Sequence, residues 1–206
     1  MSDLKIMRPF GPSIVKITMP ENLVNKLNNY VDKTVADKDK ITKLDHGSKL
    51  AGKVKQEFLL ENEFMQEIKW GEFLGRAVKT WVQHELNKEL KSFEIIKCWI
   101  VRQFENEYNP IHHHSGHVSG VGYLKVPNSF GNTYQENKTN NNGKLVLVHG
   151  SKNLFSESNY IIKPKVGEFY MFPSYLMHAV YPFYDTDEER RSISFNAKID
   201  ENSSMY

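Results

Sequence analysis

The sequence predicts an all-β core with added helices (α+β), a β-sandwich or jelly roll whose N-terminal helices pack on one outer face. In the first 92 residues, apolar side chains recur at helical spacing in two stretches. From residue 93 the apolar runs are short, rich in β-branched and aromatic residues, and separated by Gly, Pro and Asn, which is typical of strands. A chain of 206 residues is long enough for one core and short for two. We therefore expect a single domain over 1–206, with N-terminal strand and helices in 1–92 and the strand-rich core in 93–200.

The N-terminal part combines an extended segment with two amphipathic helices. Residues 13–20, SIVKITMP, have strand character, and Pro20 is a favourable residue at the start of the helix that follows. The second helical stretch covers 61–90, with a break expected near Trp70-Gly71. Between the helices, residues 37–52 are polar and contain glycine, so we expect a loop there.

The C-terminal part contains six runs with strand character: FEIIKCWIVRQF, HVSGVGYLKVP, GKLVLVHG, NYIIKPKVGEFYMFP, HAVYPF and RRSISFNAKI. Helical stretches followed by closely spaced strands favour helices packed on a β-sandwich or jelly roll. The tract at 128–143, NSFGNTYQENKTNNNG, is too polar for a core and is predicted to be a long loop beside the site.

Composition excludes several classes of function. The formal net charge is +2, and the charged residues are scattered, so no basic face for a nucleic acid is expected. The single cysteine, Cys98, excludes an internal disulfide and is predicted to pack as a small buried apolar residue. No stretch approaches the ~20 apolar residues of a membrane span. We expect a cytoplasmic protein with no membrane partner.

A histidine cluster at 112–114 indicates a metal site. In an extended segment alternate side chains share a face, so His112 and His114 can chelate one ion while His113 points away. The best-placed third ligand from a distant strand is His178, in the aromatic stretch FPSYLMHAVYPF. Histidine is the commonest side-chain metal ligand, and we predict a site made of these three residues. His117 is out of register, and a histidine run on the surface remains the alternative.

The stretch ERRSISFN contains a candidate carboxylate anchor. Arg190 and Ser192 share one face of the predicted strand, and Arg191 lies on the other. A guanidinium binds a carboxylate through two parallel hydrogen bonds, and a serine hydroxyl can complete the contact. Tyr123, in GYL, is a possible third donor to the same carboxylate.

Two long stretches of the sequence carry a family resemblance. VGEFYMFPSYLMHAVYPFYDTDEERRSISFNAKI, with YNPIHHHSGHVSGVGYLKVP upstream, resembles the Fe(II)- and 2-oxoglutarate-dependent oxygenases over residues 95–199. Within them it resembles a small bacterial and cyanophage subgroup with an SGVYYV strand and an FPS…H…RISISFN ending. The resemblance implies a double-stranded β-helix (jelly roll), with Fe(II) as cofactor and 2-oxoglutarate and O₂ as cosubstrates. The implied reaction is hydroxylation with release of succinate and CO₂, on a peptide or small-molecule substrate such as peptidyl proline.

The resemblance also gives each candidate residue a role. His112 matches the first histidine of the family's metal site, His178 matches the distal histidine, and His114 stands where an acidic residue is expected. This departure leaves the site one unit more positive, and Glu105 or Glu107 remains an alternative source of a carboxylate. By the same similarity Arg190 and Ser192 bind the distal carboxylate of 2-oxoglutarate, and Tyr123 matches a tyrosine that often joins them.

The sequence is also compatible with two other functions. A cupin-like dioxygenase with a three-histidine metal site would bind its substrate directly, without 2-oxoglutarate. His114 favours that function, whereas the Arg190-x-Ser192 pair disfavours it. A non-catalytic β-sandwich with vestigial histidines would serve as an interaction module.

Overall fold

The computed structural model describes residues 4–133 and 138–200, and within these it has eleven strands and four α-helices. The N-terminal elements are β1 (Lys5–Met7), β2 (Ile14–Thr18), α1 (Glu21–Ala36), α2 (Lys38–Leu44), β3 (Gln56–Leu59), α3 (Asn62–Glu67) and α4 (Trp70–Leu86). The remaining elements are β4 (Phe93–Gln103), β5 (Asn109–His112), β6 (Val118–Lys125), β7 (Leu145–Val148), β8 (Asn159–Ile162), β9 (Glu168–Pro173), β10 (Met177–Val180) and β11 (Arg190–Ile199).

The strands form two antiparallel sheets that face each other. The major sheet has the strand order β1-β2-β9-β6-β11-β4-β3, and the minor sheet has the order β5-β10-β7-β8. Apolar side chains of both sheets meet in one core between them, among them Tyr123 and Phe172 of the major sheet and Leu145 and Leu147 of the minor sheet. The predicted fold class, an all-β double-stranded β-helix with helices, is confirmed, and the two sheets do not close into a barrel.

The helices cover the outer face of the major sheet, as predicted. Leu27 of α1 and Trp70 and Leu74 of α4 are fully buried in a second core, together with Ile100 and Phe195 from the sheet. Helices with an apolar stripe are stabilised mainly by such packing, which is why their periodicity could be read from sequence. None of the helices in the described residues is long and apolar enough to cross a membrane.

Two boundaries in the helical region test the sequence predictions. The break expected near Trp70 is confirmed, because α3 ends at Glu67 and Lys69 takes a left-handed conformation (φ 55°) directly before α4. The loop expected over 37–52 is wrong in its first half, which forms α2. Asp37 caps this helix by accepting hydrogen bonds from the backbone N–H groups of Asp39 and Lys40. The helix buries none of its residues, so apolar periodicity gave no signal for it.

Alternate residues of β11 face opposite sides of the major sheet. Ser192 and Arg190 lie on the side of the minor sheet, where they line a cleft, while Ile193 and Phe195 lie in the core under the helices. β11 is an interior strand of the major sheet, paired with β4 on one side and with β6 on the other. The predicted alternation is therefore confirmed.

Arg191, on the helix side of β11, belongs to a buried ionic network. Its guanidinium donates to Glu189, to Asp32 of α1 at 2.7 Å, and to the side chain of Asn28 at 2.9 Å. Burial raises the pKa of Glu189, but hydrogen bonds from Arg191 and Arg102 outweigh it and lower that pKa to about 2. The network ties α1 to the strand that carries Arg190.

Candidate active site

Three histidines come together between the two sheets. His112 ends β5 and lies directly opposite His178 in the paired strand β10. His114 follows two residues later, where its backbone N–H donates to the carbonyl of Ser174 at 2.9 Å. The candidate ligand nitrogens of the three imidazoles lie within 4.8 Å of one another. Strand pairing therefore brings together the three residues that the sequence selected.

Backbone carbonyls orient two of the three imidazoles. Nδ1 of His112 lies 2.7 Å from the carbonyl oxygen of Pro110, and Nδ1 of His178 lies 2.8 Å from that of Leu176. A carbonyl oxygen only accepts hydrogen bonds, so each Nδ1 carries the proton and each Nε2 keeps a free lone pair. Nε2 of His178 lies 3.2 Å from Nε2 of His114, which brings these donor atoms together. Such second-sphere bonds are typical of metal-binding histidines.

Burial keeps these imidazoles neutral. It lowers the pKa of His114 to about 3, with a further contribution from His178, and it lowers the pKa of His178 to about 4. The pKa of His112 is also lowered, again mainly by burial. Neutral imidazoles are the form that binds metals, so the donor set fits a transition-metal ion such as Fe(II).

The lowered pKa values predict that metal affinity depends only weakly on pH. Three histidines with the ordinary pKa of about 6.5 would lose affinity by roughly a thousandfold between pH 7.5 and 5.5, because protons compete for each nitrogen. For this cluster we expect a loss below about tenfold, since His114 and His178 stay neutral over that range. Titration with Co(II), followed by its visible absorption, measures the affinity, with circular dichroism at each pH as the control for folding. A thousandfold loss in folded protein would contradict the assignment of a buried, neutral triad.

The carboxylates considered as alternative ligands lie elsewhere. Glu107 accepts hydrogen bonds from the backbone N–H groups of Lys55 and Phe104. Glu105 accepts one from the backbone N–H of Asp185. Among the described residues, the only group of three potential metal ligands is therefore the histidine triad, with no carboxylate in it.

The two neighbouring histidines do not join the cluster. His113 is exposed, as the alternation of an extended segment predicts. Nδ1 of His117 accepts a hydrogen bond from the backbone N–H of Ile199 at 3.0 Å, which gives it a structural contact at the end of β11.

Arg190 is a buried cation in the same cleft. It is 2 % exposed, and its Nε donates to the carbonyl of Gly143 at 3.1 Å. Burial lowers its pKa, as expected for a cation removed from water. Within 4–133 and 138–200 no acidic side chain forms an ion pair with Arg190, in contrast to its neighbour Arg191. Buried charges are normally paired, so the guanidinium is available to an anionic ligand.

Ser192 and Tyr123 accompany this arginine. Ser192 lines the cleft and lies opposite Tyr123 in the β6–β11 pair. The Tyr123 ring centre is 5.1 Å from the guanidinium carbon, and its fully buried hydroxyl has no hydrogen-bond partner among the described residues. Burial also raises the pKa of Tyr123, so the hydroxyl stays protonated and can donate. These groups fit the carboxylate anchor predicted from sequence.

The three histidines, Arg190 and Ser192 line one cleft of about 490 Å³, part of which is open to solvent. Sequence reasoning missed Trp99 and Ser194, which also line it. The Trp99 ring lies edge-on to His114, with ring centres 5.5 Å apart. Strand alternation in β4 and β11 could have revealed both residues. The tract 128–143, predicted to be a long loop beside the site, has neither helix nor strand in its described residues, and residues 134–137 lie outside these. Its last residue, Gly143, contacts the site through the backbone carbonyl that accepts the hydrogen bond from Arg190.

Comparison with known proteins shows which family and which solved structures this chain is similar to. Residues 97–196, a little under half of the chain, match a family described as "Putative 2OG-Fe(II) oxygenase". No curated protein matches the sequence. The match and the fold support the 2-oxoglutarate- and Fe(II)-dependent oxygenase superfamily that the sequence predicts, and with it an oxygenase enzyme. Fe(II) and 2-oxoglutarate, the predicted cofactor and cosubstrate, are those of the matched family. Membership of the small bacterial and cyanophage subgroup stays a prediction.

Solved structures share the fold at low sequence identity. A prolyl-4-hydroxylase from Pseudomonas putida aligns with a TM-score of 0.57 at 15% identity, covering 92% of this chain and 93% of its own. The viral collagen prolyl hydroxylase of Paramecium bursaria Chlorella virus-1, in complex with 2-oxoglutarate, gives 0.57 at 13% identity, with coverages of 89% and 94%. HygX from Streptomyces hygroscopicus, with nickel, 2-oxoglutarate and hygromycin B bound, gives 0.57 at 11% identity, with coverages of 91% and 83%.

Proposed function

We propose that this chain is an Fe(II)- and 2-oxoglutarate-dependent dioxygenase. It would convert a C–H bond of an organic substrate to C–OH, with 2-oxoglutarate and O₂ consumed and succinate and CO₂ released. The observation that carries the proposal is the buried guanidinium of Arg190, which lacks an acidic partner among the described residues and lines the same cleft as three neutral imidazoles.

Each part of the cleft has a separate task in this proposal. His112, His114 and His178 would hold the iron through three neutral nitrogens, which leaves coordination positions for other ligands. Arg190 would bind the distal carboxylate of 2-oxoglutarate through parallel hydrogen bonds, with Ser192 and Tyr123 as further donors. When bound, the iron supplies the activation of O₂ that couples decarboxylation of the cosubstrate to oxidation of the substrate. The protein orients the reactants and limits the access of water.

The third histidine changes the electrostatics of the proposed site. A carboxylate at position 114 would offset one positive charge of the metal, whereas the neutral imidazole of His114 does not. The net charge of the site with three histidines is therefore more positive by one elementary charge than that of a site with a carboxylate at position 114. It attracts the 2-oxo acid end of the cosubstrate more strongly.

Visible spectroscopy under anaerobic conditions tests the proposed function. Addition of Fe(II) and then 2-oxoglutarate should produce the weak charge-transfer band of the chelated complex, and Arg190→Gln should produce it only at much higher 2-oxoglutarate concentration. Succinate, which lacks the 2-oxo group, is the matched control and should give no band. Absence of the band in folded, iron-loaded protein would contradict the proposal.

The same experiment separates the two rival functions. A cupin-like dioxygenase would bind iron with equal stoichiometry but give no band with 2-oxoglutarate; the three-histidine cluster is the observation that favours it. A non-catalytic interaction module would bind neither iron nor 2-oxoglutarate tightly.

Two classes of substrate are candidates for the cleft. Peptidyl proline remains one candidate, in line with the two structural neighbours that are prolyl hydroxylases. HygX, a third protein with this fold, was solved with hygromycin B, so a small molecule is an equal candidate. The absence of a nucleic-acid partner and a cytoplasmic location stay predictions. The single domain over 1–206 also stays a prediction. The apolar core that α1 and α4 share with the major sheet supports it.

A further inference from the structure

The turn at 113–117, between β5 and β6, carries the third histidine of the triad. His112 and His178 lie in paired strands, and a backbone carbonyl holds each of their rings through Nδ1. His114 lies beyond the end of β5, and within the described residues no backbone carbonyl accepts a hydrogen bond from its ring. Its ring packs edge-on against Trp99. The position of the His114 ring therefore depends on this packing and on the backbone of the turn.

Ser174, directly after β9, holds the turn at both ends. Its carbonyl accepts the N–H of His114 at 2.9 Å, and its own N–H donates to the carbonyl of His117 at 3.1 Å. Gly116 has a φ of +94°, which favours glycine, and a Cβ atom there would lie 2.8 Å from the carbonyl oxygen of Ala197. The turn is thus packed closely against β11 and tied to Ser174 at its start and its end.

The hydroxyl of Ser174 belongs to a buried polar cluster with Ser119 and Asn196. Ser119 of β6 lies opposite Asn196 of β11, and its Oγ donates to Oδ1 of Asn196 at 2.8 Å. Oγ of Ser174 lies 3.0 Å from Oγ of Ser119. A serine hydroxyl has one proton, so Ser119, which donates its proton to Asn196, accepts a hydrogen bond from Ser174. The two bonds form one chain that fixes Ser174 to two strands of the major sheet.

Burial gives these two hydrogen bonds their positional effect. All three side chains of the cluster are buried, and a polar group removed from water is stable only with a partner. Ser174 therefore has one favourable position relative to β6 and β11. Asn196 lies on the same face of β11 as Ser194, which lines the cleft. The cluster is thus beside the cleft, and a single backbone hydrogen bond connects it to His114.

We propose that Ser119, Ser174 and Asn196 are positioning residues that hold His114 in the metal site. In the described part of the chain none of the three lines the cleft, so they act through the backbone at residue 114 and not on a ligand. The inference rests on the proposed function, because that proposal assigns His114 to the metal.

Titration of the metal-free protein with Zn(II), in competition with a chelating dye, tests this inference. Ser174→Ala removes the hydroxyl and keeps the backbone, and we expect it to weaken Zn(II) binding about tenfold, the lower end of the range for partners of a metal ligand. The same substitution is then made in His114→Ala. There we expect a change below twofold, because residues that act through His114 have no effect once its ring is absent.

Ser13→Ala is the matched control. Ser13, between β1 and β2, is also a buried serine, and its Oγ accepts the Nε1–H of Trp81 of α4 at 2.8 Å. Its loss should lower the melting temperature, as loss of the Ser174 hydroxyl does, and leave the Zn(II) affinity unchanged. The comparison separates an effect on the metal ligand from an effect on stability.

A second variant keeps the test sound if Ser174→Ala does not fold. Ser119→Ala removes both hydrogen bonds of the cluster and should also weaken Zn(II) binding about tenfold. Wild-type Zn(II) affinity in a folded variant, or an equal loss with and without the His114 ring, would overturn the inference. A wild type that binds Zn(II) in this cluster-dependent way but does not bind 2-oxoglutarate would overturn the proposed function and support the inference.

Discussion

Replacing Arg190 with Gln should weaken 2-oxoglutarate binding at least tenfold, and a loss of about a hundredfold is expected if both parallel hydrogen bonds disappear. A hydrogen bond to a charged group contributes roughly 1.5 to 3 kcal/mol, and every 1.4 kcal/mol corresponds to about a factor of ten. Arg190→Lys should be intermediate, because lysine keeps the charge and loses the planar fork. Calorimetric titration of Zn(II)-loaded protein with 2-oxoglutarate measures the effect.

Two control variants separate the role of this arginine from general effects of charge and stability. Arg76→Gln removes an exposed charge on α4 and should change neither affinity nor stability. Arg191→Gln should keep the affinity but lower the melting temperature, because it leaves Glu189 and Asp32 without their shared partner. If Arg191→Gln weakened 2-oxoglutarate binding and Arg190→Gln did not, the anchor assignment would be wrong.

Replacing any one of His112, His114 and His178 with Ala should remove the iron from the protein. Loss of an outer partner of a ligand already costs 10- to 100-fold in metal affinity, so loss of a ligand should cost at least about a hundredfold. Metal analysis after anaerobic reconstitution and desalting measures the bound iron. His114→Asp should keep the iron, because it restores the acidic residue that related sites have at this position.

The matched control for these variants is His113→Ala. His113 is exposed and adjacent in sequence to two of the predicted ligands, so its loss should leave the iron content unchanged. His117→Ala should also keep the iron, with some loss of stability, because Nδ1 of His117 accepts the N–H of Ile199. Full iron content in His114→Ala would mean that another residue supplies the third ligand.

The fold and most of the candidate site could be predicted from local patterns. Leu27 and Leu74 are buried on helical stripes, and Arg190 and Ser192 share a strand face, because side-chain direction repeats every 3.6 residues in a helix and every 2 in a strand. α2 was missed because it buries no residue and is defined by its cap at Asp37.

The sequence by itself determined which donor atoms are present and which side of its own strand each one faces. Only the tertiary structure decided their partners. Pairing of β10 with β5 sets His178 against His112, and the backbone contacts of Glu107 keep that carboxylate away from the cluster. Folding also gives Arg191 two acidic partners and leaves Arg190 without one among the described residues. The reason is physical: side-chain direction follows from local backbone geometry, whereas pairing and desolvation depend on segments that are far apart in the chain.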